Sequence, residues 1–266
     1  MSQVRAIGEI RSKVFSFVGF PLILLMVIPP LSRGQEQRPS LADLVEQYNK
    51  TRVFWQQFEI AKAIVVEYDP SVLPRLETWL TSDDRHLRGN AAFVFAGLGD
   101  PRGFGILVAI LVDRSPRGKG QGALVPSLVA DSRAWSNEQI RADRYYAAHL
   151  LGDLKDPRGV SFLVPLLNDP EVSYIVPWSL GQIGDKSAIS PLIGQLSNRN
   201  PDLRVLAIYA LEQLRATEAL PSLRAMLADN QRSTFAQPVS VAEAAKAAIT
   251  KLEPTIKSGP SSGKRQ

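Results

Sequence analysis

The stretch "RYYAAHLLGDLKDPRG", residues 144–159, holds two adjacent tyrosines, one of only two histidines and an Asp-Pro turn, and it decides the fold because it recurs. With Leu151 as reference, equivalent positions fall at Ile64, Phe95, Leu180 and Leu211, so the five are spaced by 31, 56, 29 and 31 residues. Twelve residues after each stands a leucine: Leu76, Leu107, Leu163, Leu192 and Leu223. Sixteen after each stands another: Leu80, Leu111, Leu167, Leu196 and Leu227. Nine after, the set Leu73, Phe104, Val160, Ile189 and Leu220 is wholly apolar. These offsets advance by three and four, which is the spacing of one helix face.

A second apolar stripe runs through each reference residue: Ala91/Phe95/Leu98, Ala147/Leu151/Leu154, Val176/Leu180/Ile183 and Ala207/Leu211/Leu214, with Ala245/Ile249/Leu252 as a final copy. The segments "GDPRG", "KDPRG", "GDKSA" and "RATEA" between the stripes are turns, where Pro after Asp stops one helix and primes the next. Each unit is therefore a helical hairpin that cannot bury its own face, and neighbours must stack. The expected fold is all-α: an α-solenoid of about five hairpins over residues 69–253. Residues 35–68 form capping helices, with Ser40 as N-cap three residues before Asp43. The spacing of 56 places an insert at 113–140, and the Gly-, Ser- and Lys-rich residues 254–266 read as a disordered tail.

In "LRGNAAFVFAGLGDPRG", "RYYAAHLLGDLKDPRG", "VSYIVPWSLGQIGDKSA" and "LRVLAIYALEQL" the chain resembles the HEAT-repeat family, in particular the short bacterial type described as phycobilin-lyase-like. The resemblance covers about residues 64–252. It implies HEAT-like hairpins whose reference-bearing helix lines the concave side. It also implies that a column of arginines, Arg88, Arg144 and Arg204, pairs with turn acids as a structural ladder, for which Asp84 and Asp169 are the candidates. Ser173 breaks the column in one unit.

Residues 1–34 read as an export signal: Arg5, Arg11 and Lys13 precede an apolar run from Val14 to Leu31, and Ser32 and Gly34 offer small residues before Gln35. The expected location is periplasmic or secreted. The alternative is an inner-membrane anchor over residues 14–31, the only route to a membrane. The chain carries +5 overall; residues 1–34 hold four basic groups and one acid, so the remainder is near +2. That balance leaves no basic footprint for nucleic acid.

Two residues before each reference lie Phe93, His149, Trp178 and Tyr209, about 160° from the packing stripe. Tyr145, Tyr146 and Tyr174 lie nearby, and Trp135 anchors the insert. A surface column of large aromatics is either a binding groove or a seat for the insert. Arg114, Arg117, Lys119 and three nearby glycines in the insert lack the order of a phosphate-binding loop.

No catalytic set emerges. The HEAT-repeat enzyme deoxyhypusine hydroxylase binds iron through His-Glu pairs, whereas His86 and His149 are followed by leucines. His149 with Asp153 is an oriented imidazole without a diagnostic nucleophile. No metal site and no cofactor are expected. The expected function is a non-enzymatic, non-catalytic protein-binding or scaffolding module of the bacterial cell envelope, taking a protein or peptide partner through the aromatic column and insert. The alternative is a bilin-lyase-like enzyme or enzyme-assembly factor, disfavoured by the export signal and the missing metal ligands.

Overall fold

The computed structural model describes residues 39–116, 132–235 and 238–253, with the side chains of 132–136 excepted. The export segment, the core of the insert with Arg117 and Lys119, and the tail lie outside the described residues.

Twelve α-helices occur among the described residues. One row holds α2 (Phe54–Glu67), α4 (Arg85–Gly97), α6 (Ser132–Leu154), α8 (Val176–Ile183), α10 (Pro201–Gln213) and α12 (Val241–Leu252), each packed against the next. A second row of shorter segments backs it: α3 (Leu73–Leu76), α5 (Pro101–Val112), α7 (Gly159–Leu163), α9 (Ile189–Gln195) and α11 (Leu220–Ala225), four of them extended by 3-10 turns at one end or both. Because neighbours in sequence are neighbours in space, the chain is an α-solenoid. The helix α1 (Leu41–Lys50) closes the first face, and its exposed side carries Asp43, Glu46, Gln47 and Lys50.

The leucine register becomes the core. Leu76, Leu107, Leu163, Leu192 and Leu223 are completely buried, as are the reference residues Ile64, Phe95, Leu151, Leu180 and Leu211. The one departure is Leu227, 46% exposed, in the last backing segment of the described residues. Burial of one such side chain is worth about 1.5–3 kcal/mol, so the repeat itself carries most of the folding free energy.

Each helix of the first row from α2 to α10 ends on a left-handed residue four positions after its reference: Tyr68, Gly99, Lys155, Gly184 and Arg215. This conformation frees the chain to reverse and satisfies terminal carbonyls. Asp100 then caps α5, with Pro101 opening the helix, and Asn200 caps α10. The expected Ser40–Asp43 capping box is present at α1, and Ser240 with Glu243 repeats it at α12.

The arginine ladder follows a rule beyond the expected one. Arg144, almost completely buried, binds Asp169 at 2.7 Å, Glu171, and the Leu111 carbonyl at 2.8 Å. Arg204 binds Asp229 at 2.8 Å and the Asn198 carbonyl at 2.6 Å. In each case the acid stands 25 residues after the arginine, in the turn of the following unit. Arg88 has the same relation to Asp113. Burial pushes the Asp113 carboxyl up, but hydrogen bonds from Ser115 and the charges of Arg85 and Arg88 outweigh it and hold the group below its usual value. Asp84 is instead the N-cap of α4, accepting from the His86 and Leu87 amides. The turn acids of the ladder are thus Asp113, Asp169 and Asp229.

The insert is shorter than expected. The helix α6 begins at Ser132, so Trp135 lies within a helix rather than a loop, and the connection spans residues 113–131. Its first residues are tethered on alternate sides. Arg85 binds Asp113 at 2.5 Å and Ser115 at 2.7 Å, while Arg114 binds Asp169 at 2.7 Å. Between α10 and α12, two-residue strands β1 (Arg232–Ser233) and β2 (Val239–Ser240) form an antiparallel hairpin.

Candidate functional site

The aromatic column divides into a covered half and an open half. The cover is α2. Phe58 stands edge-on to Phe93 at 5.1 Å and to His149 at 5.9 Å, and Phe54 stacks on His86 at 4.5 Å while meeting Tyr146 edge-on at 5.0 Å. Phe93 and Tyr146 are each only 5% exposed, which removes both from any binding surface. A groove and an insert seat were the two expectations for the column; here the capping helix occupies its first half.

A buried polar relay fixes that cover. Tyr146 donates to Asn90 Oδ1 at 2.6 Å, and Asn90 Nδ2 donates to the Phe54 carbonyl at 2.8 Å and to Gln57 Oε1 at 3.0 Å. Gln57 in turn reaches the Tyr48 and Thr51 carbonyls. Burial pushes the Tyr146 phenol far above its ordinary value, so it stays a neutral donor. Beside the relay, Arg85, 6% exposed, binds the completely buried carboxylate of Asp143 at 3.1 Å, and His86 Nε2 lies 3.6 Å from that carboxylate.

The open half crosses three consecutive helices: Tyr145 and His149 on α6, Trp178 on α8 and Tyr209 on α10. Tyr145, His149 and Trp178 are partly buried, and Tyr209 is 39% exposed. His149 Nδ1 lies 3.5 Å from Asp153 Oδ2, and the imidazole meets the Trp178 ring at 4.7 Å. Trp178 sits over Gly152, where an added Cβ would stand 3.0 Å from the indole and 2.8 Å from the Ser179 backbone. That glycine is what lets α6 and α8 approach and lays the indole beside the imidazole. Burial raises the phenols of Tyr145 and Tyr209, the second with help from Glu212, so both remain neutral near pH 7.

Tyr174 belongs to a different contact. Its hydroxyl accepts from Asn200 at 2.9 Å and donates to Asp202 at 3.3 Å, and its ring lies 5.3 Å from Phe235 at the hairpin tip. Asp202 holds that tip through Ser233, Thr234 and Phe235. The side chain of Trp135 lies outside those described. Sequence reasoning missed Phe54, Phe58, Gln57 and Asn90 as the cover. Phe54, Gln57 and Phe58 fall in the segment read as capping helices, and nothing in that reading signals that α2 reaches across α4.

Residues 168–239 match a family described as HEAT repeats, so the chain carries HEAT repeats. Two curated relatives are each named phycocyanobilin lyase subunit alpha. That of Picosynechococcus sp. is 32% identical over 117 residues, covering 36% of this chain and 44% of the relative. That of Synechococcus elongatus is 33% identical over 107 residues, covering 36% and 39%. The chain thus spans about two fifths of the length of these relatives. Among solved structures, the complex of CpcE and CpcF of phycocyanin lyase from Nostoc sp. aligns at 20% identity with a TM-score of 0.44, over 85% of this chain and 69% of that one. A designed armadillo repeat protein aligns at 16% identity with a TM-score of 0.42, over 80% and 100%.

The two relatives correct the functional expectation. Both are named as lyase subunits, against the reading of a non-catalytic scaffold of the cell envelope that is not an enzyme. That reading had leaned on an export segment outside the described residues and on missing metal ligands.

Proposed function

We propose that the chain is a HEAT-repeat subunit of a bilin lyase. It holds an open-chain tetrapyrrole as substrate across Tyr145, His149, Trp178 and Tyr209, and transfers it to or from an acceptor protein together with a second protein subunit. The similarity to phycocyanobilin lyase alpha subunits supports the activity, and the word subunit in their name supports a protein partner.

The observation that carries the site is the open aromatic row on three successive helices. Neighbouring helices pack about 8–10 Å apart, so the row extends on the order of 20 Å, a span suited to four linked five-membered rings. Flat conjugated rings are held by aromatic faces and edges without needing charge. Two cations lie near the row, each paired on its own helix: Arg141, one helical turn before Tyr145, with Glu138 at 3.8 Å, and Lys62, 5.0 Å from the Phe58 ring, with Glu59 at 2.6 Å; to meet the acidic side chains of a bilin they would exchange these partners. The chain has no cysteine, so it cannot keep the bilin as a thioether, as suits a protein that passes its substrate on.

Titration of the full chain with phycocyanobilin tests the reading. Saturable binding with an induced circular dichroism band supports it; absence of binding by the chain, alone and with its co-purifying partner, removes it.

A further inference from the structure

The open row has two flanks, and the chain builds them differently. Toward the N-terminal ends of α8 and α10 the flank is a wall. Phe235, 8% exposed, packs with Leu203 and Leu206 of α10 and with Tyr174 in a small apolar cluster separate from the main core. Its ring centre lies 5.3 Å from that of Tyr174. The Val176 amide bonds the Val172 carbonyl, so the chain is already helical at Tyr174, and Trp178 follows four residues later on the same face. Tyr209 likewise follows Leu206 by three residues. The wall thus stands one helical turn, about 5.4 Å along the axis, from the Trp178 and Tyr209 positions.

The wall is pinned by more than apolar contact. Asp202 Oδ1 accepts from Ser233 Oγ at 2.7 Å, from the Thr234 amide at 2.8 Å and from the Phe235 amide at 3.2 Å, while Oδ2 accepts from the Tyr174 hydroxyl at 3.3 Å. One carboxylate therefore fixes both members of the Tyr174–Phe235 pair.

The other flank is polar. One turn after His149, Trp178 and Tyr209 stand Asp153, Gln182 and Gln213. The Gln213 amide lies across Gly181, where an added Cβ would collide with its oxygen, so this side chain crosses from α10 to α8. Between the wall and the polar column the row is a single file of rings.

An extended open-chain tetrapyrrole places its four rings in single file, whereas a macrocycle sets them two abreast. A second file laid on this row would meet Phe235 and the hairpin on one side, or bury the polar column without satisfying it on the other. With the row taken as the bilin site, on which this depends, we propose that Phe235 is a specificity-determining residue that excludes macrocyclic tetrapyrroles and so selects the open chain, with Asp202 as its positioning residue. The selection comes from an obstacle to the wrong ligand rather than from added contact to the right one.

The full chain is titrated with phycocyanobilin and with protoporphyrin IX, each followed by quenching of tryptophan fluorescence, with a thermal melt on every variant. Wild type binds phycocyanobilin at least about tenfold more tightly than protoporphyrin IX. Phe235→Ala leaves phycocyanobilin affinity within about threefold and tightens protoporphyrin IX by about tenfold, so the preference disappears. Asp202→Ala frees the hairpin without touching the row and shifts the preference in the same direction, which keeps the test open where Phe235→Ala does not fold. An unchanged preference in the folded variants overturns the proposal, and so does an equal loss of both ligands, the result that a purely structural hairpin gives. A wild type that takes both ligands equally well also overturns it and leaves the bilin site standing. A wild type that does not bind phycocyanobilin removes the bilin reading itself, and this selectivity with it.

Discussion

Phe58 on α2 reaches across α4 to stand edge-on to His149 on α6, ring centre to ring centre 5.9 Å. The capping helix thereby sets where the aromatic row begins: Phe93 and Tyr146 lie beneath it, and His149 is the first open member. The placement of α2 depends in turn on Asn90, completely buried, which ties the Phe54 carbonyl and Gln57 to Tyr146. Asn90→Leu strands all three partners, and urea unfolding should register a loss of about 2–4 kcal/mol.

Arg144 and Asp169 form the best-buried rung of the ladder. Arg144→Met leaves Asp169 with Arg114 as its remaining cation, and the loss expected by chemical denaturation is about 3–5 kcal/mol. The double variant Arg144→Met/Asp169→Asn should be less destabilised than the sum of the single changes, since the orphaned carboxylate is gone. Additive losses would mean that the pair is not coupled.

Acid should weaken the protein through the same turns. Burial pushes the Asp169 carboxyl up, but hydrogen bonds from Arg144 and the Glu171 amide, with the charges of Arg144 and Arg114, hold it below its usual value, as Asp113 is held. A carboxyl whose folded value lies below its unfolded value contributes stability that is full above about pH 3.9 and lost as pH falls through the folded value. Melting temperature should therefore be insensitive to these groups between pH 5 and 7 on the order of a degree, and fall steeply below about pH 4. Asp169→Asn should flatten that fall.

Lys155 and Arg215 hold left-handed backbone, at φ of 57° and 51°, where the equivalent turns use Gly99 and Gly184. A side chain there is strained, so Lys155→Gly and Arg215→Gly should each raise stability by about 0.5–1 kcal/mol. Calorimetry on the single variants checks the sign.

The repeat was legible because its signal is local and periodic. Helix faces written as leucines at fixed offsets translate directly into burial, and only Leu227, in the last backing segment described, departs. The ladder was half legible. Asp169 is visible as an acid in the right turn, but the rule of an acid 25 residues after each arginine emerges only once two rungs are seen in space. The aromatic column was legible as a column and not as a surface. Whether Phe93 or Trp178 meets solvent depends on a long-range contact from α2, which periodicity does not encode. The start of α6 was misplaced because the glycine-rich insert and the polar run "SRAWSNEQ" share a composition, although the latter is helical. Function was least legible: the same solenoid serves scaffolds and enzymes, and the site differs from a structural surface by one exposed and three partly buried rings.

The central claim, that the open row is the bilin site, is tested most directly by titrating phycocyanobilin into wild type, Trp178→Ala/Tyr209→Ala and Phe162→Ala, the last an equally exposed aromatic on the backing row. The account predicts that the double variant weakens binding by at least about tenfold, in keeping with about 1 kcal/mol or more for each buried aromatic contact, while Phe162→Ala binds as wild type does. Equal affinity of the double variant and wild type would contradict it.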